Sequence, residues 1–249
     1  MPAAPRRGAA CGAGRGNRPA LPDPCNPQKS DLALTAILSL SGAGGNAMFD
    51  GMIRSLIDPP LNDGGRWLAA RGASANAVTL VGLGLGLGAA ALLAVGHSGA
   101  SVIVLLIASR LADGLDGAVA RARGKTEFGG FLDIVCDFIF YAAIPLAFVW
   151  RDPAANGAAG AFLLASFYVN GATFLGYAIL AAGRGMQTRS RGEKSLYFTA
   201  GLLEGAETIA FFLTIAVFPG LFQPLAWGFG ALCLITAAAR AGLAARVFR

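Results

Sequence analysis

Six apolar runs, at about 78–97, 100–121, 128–150, 158–182, 197–219 and 222–245, fill almost all of the chain beyond residue 77. Each is close to the ~20 residues that a helix needs to cross a bilayer. Water is absent from the hydrocarbon core, so every backbone polar group there must be satisfied within its own segment. The expected fold is therefore an all-α membrane protein with six transmembrane helices. Composition agrees, at 55% hydrophobic and 14% charged with a mean hydropathy of +0.59, well away from a soluble domain.

The formal net charge of +6 would suit a nucleic-acid partner. The basic residues, however, flank apolar segments instead of forming a patch of their own, and no nucleic-acid partner is expected. Their distribution gives an orientation. Arg54, Arg66, Arg71, Arg121, Arg123, Lys125, Arg184, Arg189, Arg191, Lys194, Arg246 and Arg249 fall on one side, and Arg151 alone on the other. By the positive-inside rule both termini are cytoplasmic.

Residues 1–47 differ from the rest. Up to Ser30 they are rich in Pro, Gly, Ala and Arg without apolar periodicity, which reads as disordered. The apolar patch Leu32–Leu40 is short and far from most of the basic residues, a poor signal peptide. The stretch is expected to be disordered or a mis-assigned extension, with the membrane domain spanning 48–249. Phe49, Met52, Ile53, Leu56 and Ile57 form a helical stripe ended by Pro59-Pro60, an amphipathic juxtamembrane helix on the membrane surface. Trp67 and Leu68, between Arg66 and Arg71, suit a second interfacial piece.

The first apolar run contains Gly82, Gly84, Gly86 and Gly88. Inside so long an apolar run they read as close helix packing, not as a strand or a nucleotide loop. Cys11, Cys25, Cys136 and Cys233 lack metal-ligand spacing, and the latter two read as small buried hydrophobes. His97 lies at the far membrane face and carries no expected catalytic role.

Acids stand out against this background. Asp113, Asp116, Gly117 and Ala120 share one helical face, while Gly129, Asp133 and Asp137 share a face of the next helix. The link of residues 122–128 is short enough to make the two helices antiparallel neighbours, so the four carboxylates are expected to surround one small volume. At membrane depth each costs about 2.5–3.5 kcal/mol, and crowded carboxylates ionise together only when something cancels their charge. All-oxygen donors suit Mg²⁺, Mn²⁺ or Ca²⁺. The plain alternative is ion pairing, Arg110 with Asp113 and Arg121 with Asp116, but pairing alone would not require the small residues Gly117, Ala120 and Gly129 on the same faces.

The pattern Asp113, Asp116, Gly117, Ala120, Arg121, Gly129, Asp133, Asp137 resembles the signature of the CDP-alcohol phosphatidyltransferases, with every specified position filled. The class I, bacterial-type members are the nearest in kind. The stretch between Arg121 and Gly129 holds seven residues, one shorter than is usual there, in a loop where a deletion is readily absorbed. The resemblance implies transfer of a phosphatidyl-type group from a CDP-linked lipid, assumed to be CDP-diacylglycerol, to an alcohol acceptor, with release of CMP. It also implies a homodimer among membrane lipids. Two Mg²⁺ or Mn²⁺ ions would be held by Asp113, Asp116, Asp133 and Asp137, with Asp137 also acting as base. CDP-lipid contacts would come from Gly117, Ala120, Arg121 and Gly129, from Thr126, and from Asn76 and Thr79 at the start of the first span. Read on their own, Asn76 and Thr79 are helix-capping or surface residues.

Glu204 and Glu207 in the fifth segment could bind an amino-alcohol, complete a metal shell or pair with the basic loop 184–194. That loop could instead hold a phosphorylated acceptor. Two other readings are a divalent-cation transporter and a non-enzymatic relative of the family. A transporter more often breaks helices at the midplane, and the intact set of aspartates opposes loss of activity.

Overall fold

The computed structural model describes residues 48–184 and 205–249. Residues 1–47, Glu204 and most of the basic loop after Arg184 lie outside them. Among the described residues there are seven helices and no strand: α1 (Met48–Ala70), α2 (Ala75–Ala94), α3 (Ala100–Arg123), α4 (Glu127–Arg151), α5 (Pro153–Gly183), α6 (Gly205–Val217) and α7 (Phe222–Val247). A single 3₁₀ turn, Pro219–Leu221, precedes α7.

Helix ends follow local chemistry. Ser74 is extended and its Oγ accepts the Ala77 N–H at 3.2 Å, starting α2. Gly124, at φ +103°, stops α3 directly after Arg123. Thr126 Oγ1 then accepts the Gly129 N–H at 3.0 Å to start α4. The link between α3 and α4 is thus Gly124–Thr126, shorter than the expected 122–128. Asp152 Oδ1 caps α5 through the Ala155 N–H at 3.0 Å, with Pro153 in the first turn.

One expectation fails at the N-terminal side. Pro59-Pro60 does not end a helix: α1 runs unbroken from Met48 to Ala70 and absorbs the second interfacial piece. Local propensity is overridden by packing. Beyond the prolines, Leu61 lies against Gly114, Gly64 against Leu115 and Gly65 against Ala118, so this half of α1 is seated on α3. Trp67 stays 53% exposed beneath the Arg71 guanidinium, 3.5 Å from the ring centroid.

Four helical stretches are long and apolar enough to cross a membrane: Ala75–Ala94, Glu127–Arg151, Pro153–Gly183 and Pro219–Val247. The fold is that of an all-α integral membrane protein. Helix α3 is long enough but carries Arg110, Asp113, Asp116, Arg121 and Arg123, and α6 has only 13 described residues.

Lipid is as apolar as leucine, so helix association in a membrane depends on close packing and interhelical hydrogen bonds. Both are present around α2. A Cβ on Gly82 would lie 3.1 Å from Ala112 Cβ, and one on Gly86 would lie 2.5 Å from Phe140 Cδ2. Gly84 meets nothing and Gly88 only Leu105 at 3.8 Å, so the packing pair is Gly82/Gly86. Ser109 Oγ adds a buried bond to the Gly82 carbonyl at 2.7 Å. Helix α2 therefore packs on both α3 and α4, whereas α3 and α4 approach each other closely at few points at most.

The bundle divides along its length. Leu93, Leu106, Phe140, Ile144, Phe148, Leu163, Ile215 and Phe222 form a closed apolar half, with Phe148 and Phe222 stacked at 4.5 Å. The other half holds the start of α2, the end of α3 and the start of α4, and carries the polar residues singled out above.

Candidate active site

Asp113, on α3, meets Asp133 and Asp137, successive turns of α4, across the gap that α2 holds open. One carboxylate oxygen from each lies within 4.8 Å of the others. That is the spacing at which three donors can share one cation, and an all-oxygen set suits a hard divalent ion. The residues fit the metal that the sequence implies. No other group of this kind occurs among the described residues.

Asp116 contributes no oxygen to this trio. It is buried at 6% exposure, and its Oδ2 accepts the Thr79 hydroxyl at 2.5 Å. Three of the four expected carboxylates therefore meet within 4.8 Å, and Asp116 is near enough for its carboxylate to feel the charges of Asp133 and Asp137. Asp116 lies on the same face of α3, but the close approach of α2 at Gly82 brings Thr79 up to it first. Thr79 is neither a cap nor a surface residue: Ser74 does the capping, and Thr79 is 7% exposed.

The other expected contacts divide between two places. Asn76, Thr126 and Gly129 come together. A Cβ on Gly129 would lie 2.9 Å from Thr126 Oγ1 and 3.1 Å from Asn76 Oδ1, so only glycine leaves this corner free of side chain. Gly117 and Ala120 line the same face of α3 as Asp113. Arg121 turns away. Its Nη2 donates to Asn62 Oδ1 of α1 at 2.7 Å, beside a cleft of about 700 Å³ between α1 and α3 rimmed by Arg66 and Arg123. The simple pair of Arg121 with Asp116 does not form, because Arg121 sits toward the α1 side of α3.

Arg110 is the residue that the motif does not specify. Its Nη1 donates to Asp137 Oδ1 at 3.0 Å and lies 3.9 Å from Asp113 Oδ1, with 13% of its side chain exposed. The sequence placed Arg110 beside Asp113 but gave no sign of Asp137, which is 27 residues away. Further off, Arg184 donates to the carbonyls of Val247 and Phe248 at 2.7 and 2.9 Å, joining the ends of α5 and α7. Arg240 of α7 donates to Asn170 and Thr173 of α5.

Comparison with known proteins decides what this site belongs to. The family model for CDP-alcohol phosphatidyltransferase matches residues 73–240, which hold every aspartate of the cluster. The chain is a member of the CDP-alcohol phosphatidyltransferase family. The chain is similar to two relatives. Inner membrane protein YnjF of Escherichia coli (strain K12) is 42% identical over 189 residues, which is 76% of this chain and 91% of that protein. Archaetidylinositol phosphate synthase of Pyrococcus horikoshii is 37% identical over 93 residues, 37% of this chain and 49% of that protein. No solved structure matches the chain. As a CDP-alcohol phosphatidyltransferase the chain is an enzyme of phospholipid synthesis, moving a phosphatidyl-type group from a CDP-linked lipid to an alcohol.

Proposed function

We propose that residues 48–249 form the catalytic membrane domain, that its donor is CDP-diacylglycerol, and that Asp113, Asp116, Asp133 and Asp137 hold two Mg²⁺ or Mn²⁺ ions. The observation that carries this reading is the convergence of Asp113, Asp133 and Asp137 within 4.8 Å. Bound there, the ions would supply charge neutralisation for the pyrophosphate and the departing CMP. Asp116 would join by exchanging its bond to Thr79 for a metal.

The chain's own residues then have separate tasks. Asn76, Thr79, Gly117, Ala120, Thr126 and Gly129 form the surface on which the CDP moiety lies, and Arg121 bonds a phosphate oxygen from its edge. Asp137 takes the proton of the acceptor hydroxyl as that oxygen forms its bond to the lipid-side phosphorus. The bond from this phosphorus to the CMP oxygen breaks, and CMP leaves with the electron pair. Phosphoryl transfer asks chiefly for such positioning.

The six apolar runs make six spans, and the Lys/Arg bias puts both termini and the carboxylates on the cytoplasmic side. The structure supports this arrangement where Arg184 joins the ends of α5 and α7, and where Arg123 bonds the carbonyls of Gly72 and Ala73. A homodimer is proposed on family grounds alone. The Pyrococcus relative, an archaetidylinositol phosphate synthase, makes inositol phosphate one member of the acceptor panel.

The test is CMP release by purified protein from CDP-diacylglycerol with Mg²⁺ or Mn²⁺. The panel holds serine, inositol, inositol phosphate, glycerol phosphate and amino-alcohols, with products identified by mass. Metal-dependent CMP release with one acceptor is expected, and Asp137→Asn should lower it by about 100-fold or more. Absence of CMP release with CDP-diacylglycerol, CDP-choline or CDP-ethanolamine donors would shift the reading to a transporter or an inactive relative.

A further inference from the structure

We propose that Arg110 is a positioning residue for Asp137. Its guanidinium bonds Oδ1 of that carboxylate and so fixes its plane, leaving the remaining lone pairs for the metal ion and for the acceptor hydroxyl. The inference rests on the assignment of Asp137 as proton acceptor.

The guanidinium is held on three sides. Its plane lies over the Phe140 ring, 3.9 Å from the centroid, and Phe140 is itself locked edge-on against Phe212 at 5.6 Å. Nη2 donates to Ser109 Oγ at 3.2 Å, and that hydroxyl is tied to the Gly82 carbonyl of α2. Nη1 then has one direction left, toward Asp137 Oδ1 at 3.0 Å, with Asp113 Oδ1 at 3.9 Å. Phe140 follows Asp137 by three residues on α4, so a cation stacked on the ring is brought to the carboxylate one turn earlier.

A purely structural ion pair explains this poorly. Arg110 Nε is buried without a hydrogen-bond partner among the described residues. A buried unmet donor is costly, and stability alone would favour an apolar side chain beside Phe140. What the arrangement provides is a carboxylate with one oxygen fixed, and a fixed positive charge between the two helices that carry the acids.

The test uses full-length protein with Arg110→Met, Arg110→Lys, Arg110→Ala and Ser109→Ala, and Asp137→Asn as reference. CMP release gives kcat and the KM for CDP-diacylglycerol, and Mn²⁺ binding is read separately by electron paramagnetic resonance. In Arg110→Met, kcat should fall about 10- to 100-fold while KM and Mn²⁺ affinity hold. Arg110→Lys should recover part of the loss, and added guanidinium should partly restore Arg110→Ala. Full kcat in Arg110→Met beside an inactive Asp137→Asn overturns the proposal. So does Mn²⁺ affinity falling in step with kcat, which would make Arg110 a support of the metal ligands. If Arg110→Met does not fold, Ser109→Ala decides: a smaller drop in kcat at constant KM supports the assignment, and an unchanged kcat overturns it. Activity retained in Asp137→Asn would instead reject the reading of Asp137 itself.

Discussion

Thr79 Oγ1 donates to Asp116 Oδ2 at 2.5 Å, joining the first turns of α2 to the middle of α3 in a buried setting. Thr79→Val keeps the shape and removes the donor, leaving a buried carboxylate oxygen unmet. The expected loss is about 1–3 kcal/mol of stability, read as a lower thermal midpoint in detergent. Thr79→Ser should stay near wild type. A midpoint unchanged by valine would mean that Asp116 finds another donor.

Metal binding should separate the four aspartates. Asp113, Asp133 and Asp137 converge, while Asp116 faces Thr79. Asparagine at any of the first three should weaken the first Mn²⁺ bound by about 10-fold or more, titrated by paramagnetic resonance. Asp116→Asn should affect it least. Equal loss at all four positions would show that Asp116 belongs to the same first ion.

Gly129→Ala places a methyl 2.9 Å from Thr126 Oγ1 and 3.1 Å from Asn76 Oδ1. The methyl fills the corner assigned to the CDP moiety and presses on the cap of α4. Donor KM should rise several-fold with a smaller change in kcat. A variant with wild-type KM would remove this corner from the donor site.

The seating of α1 can be tested at Gly65, where an added Cβ would come within 2.4 Å of Ala118 Cβ. Gly65→Leu cannot be absorbed by a flexible side-chain end, since the Ala118 backbone is close as well. Overpacking of this kind costs about 1–3 kcal/mol. Cleavage by a protease within 59–70 should become faster in the variant, and an unchanged rate would argue against the contact.

The acids and small residues of the site were legible in the sequence because helical periodicity converts spacing into faces. Asp113 with Gly117 and Ala120, and Gly129 with Asp133 and Asp137, needed no tertiary knowledge. What was missed depended on a third helix. Periodicity within α3 could not reveal that α2 would offer Thr79 to Asp116. Nor could it show Arg110 crossing to Asp137, because that contact depends on the stacked Phe140. The prolines misled for a similar reason: Pro59-Pro60 is a local stop signal, and the contacts of Leu61, Gly64 and Gly65 with α3 lie far along the chain. Gly82 and Gly86 were read correctly as packing residues, but which pair of the four glycines did the packing was decided only by the helices around them.

Those two glycines have a consequence for the metal centre. Gly82 sets how near α3 can come to α2, and Gly86 does the same for Phe140 of α4. The acids that face one another are mounted on those two helices, so their separation is gauged from behind, by a spacer with no side chain at either contact. A methyl added at Gly82 or Gly86 touches none of the carboxylates, yet it would reset the bite of the whole ligand set, as a shim behind one jaw resets a vice.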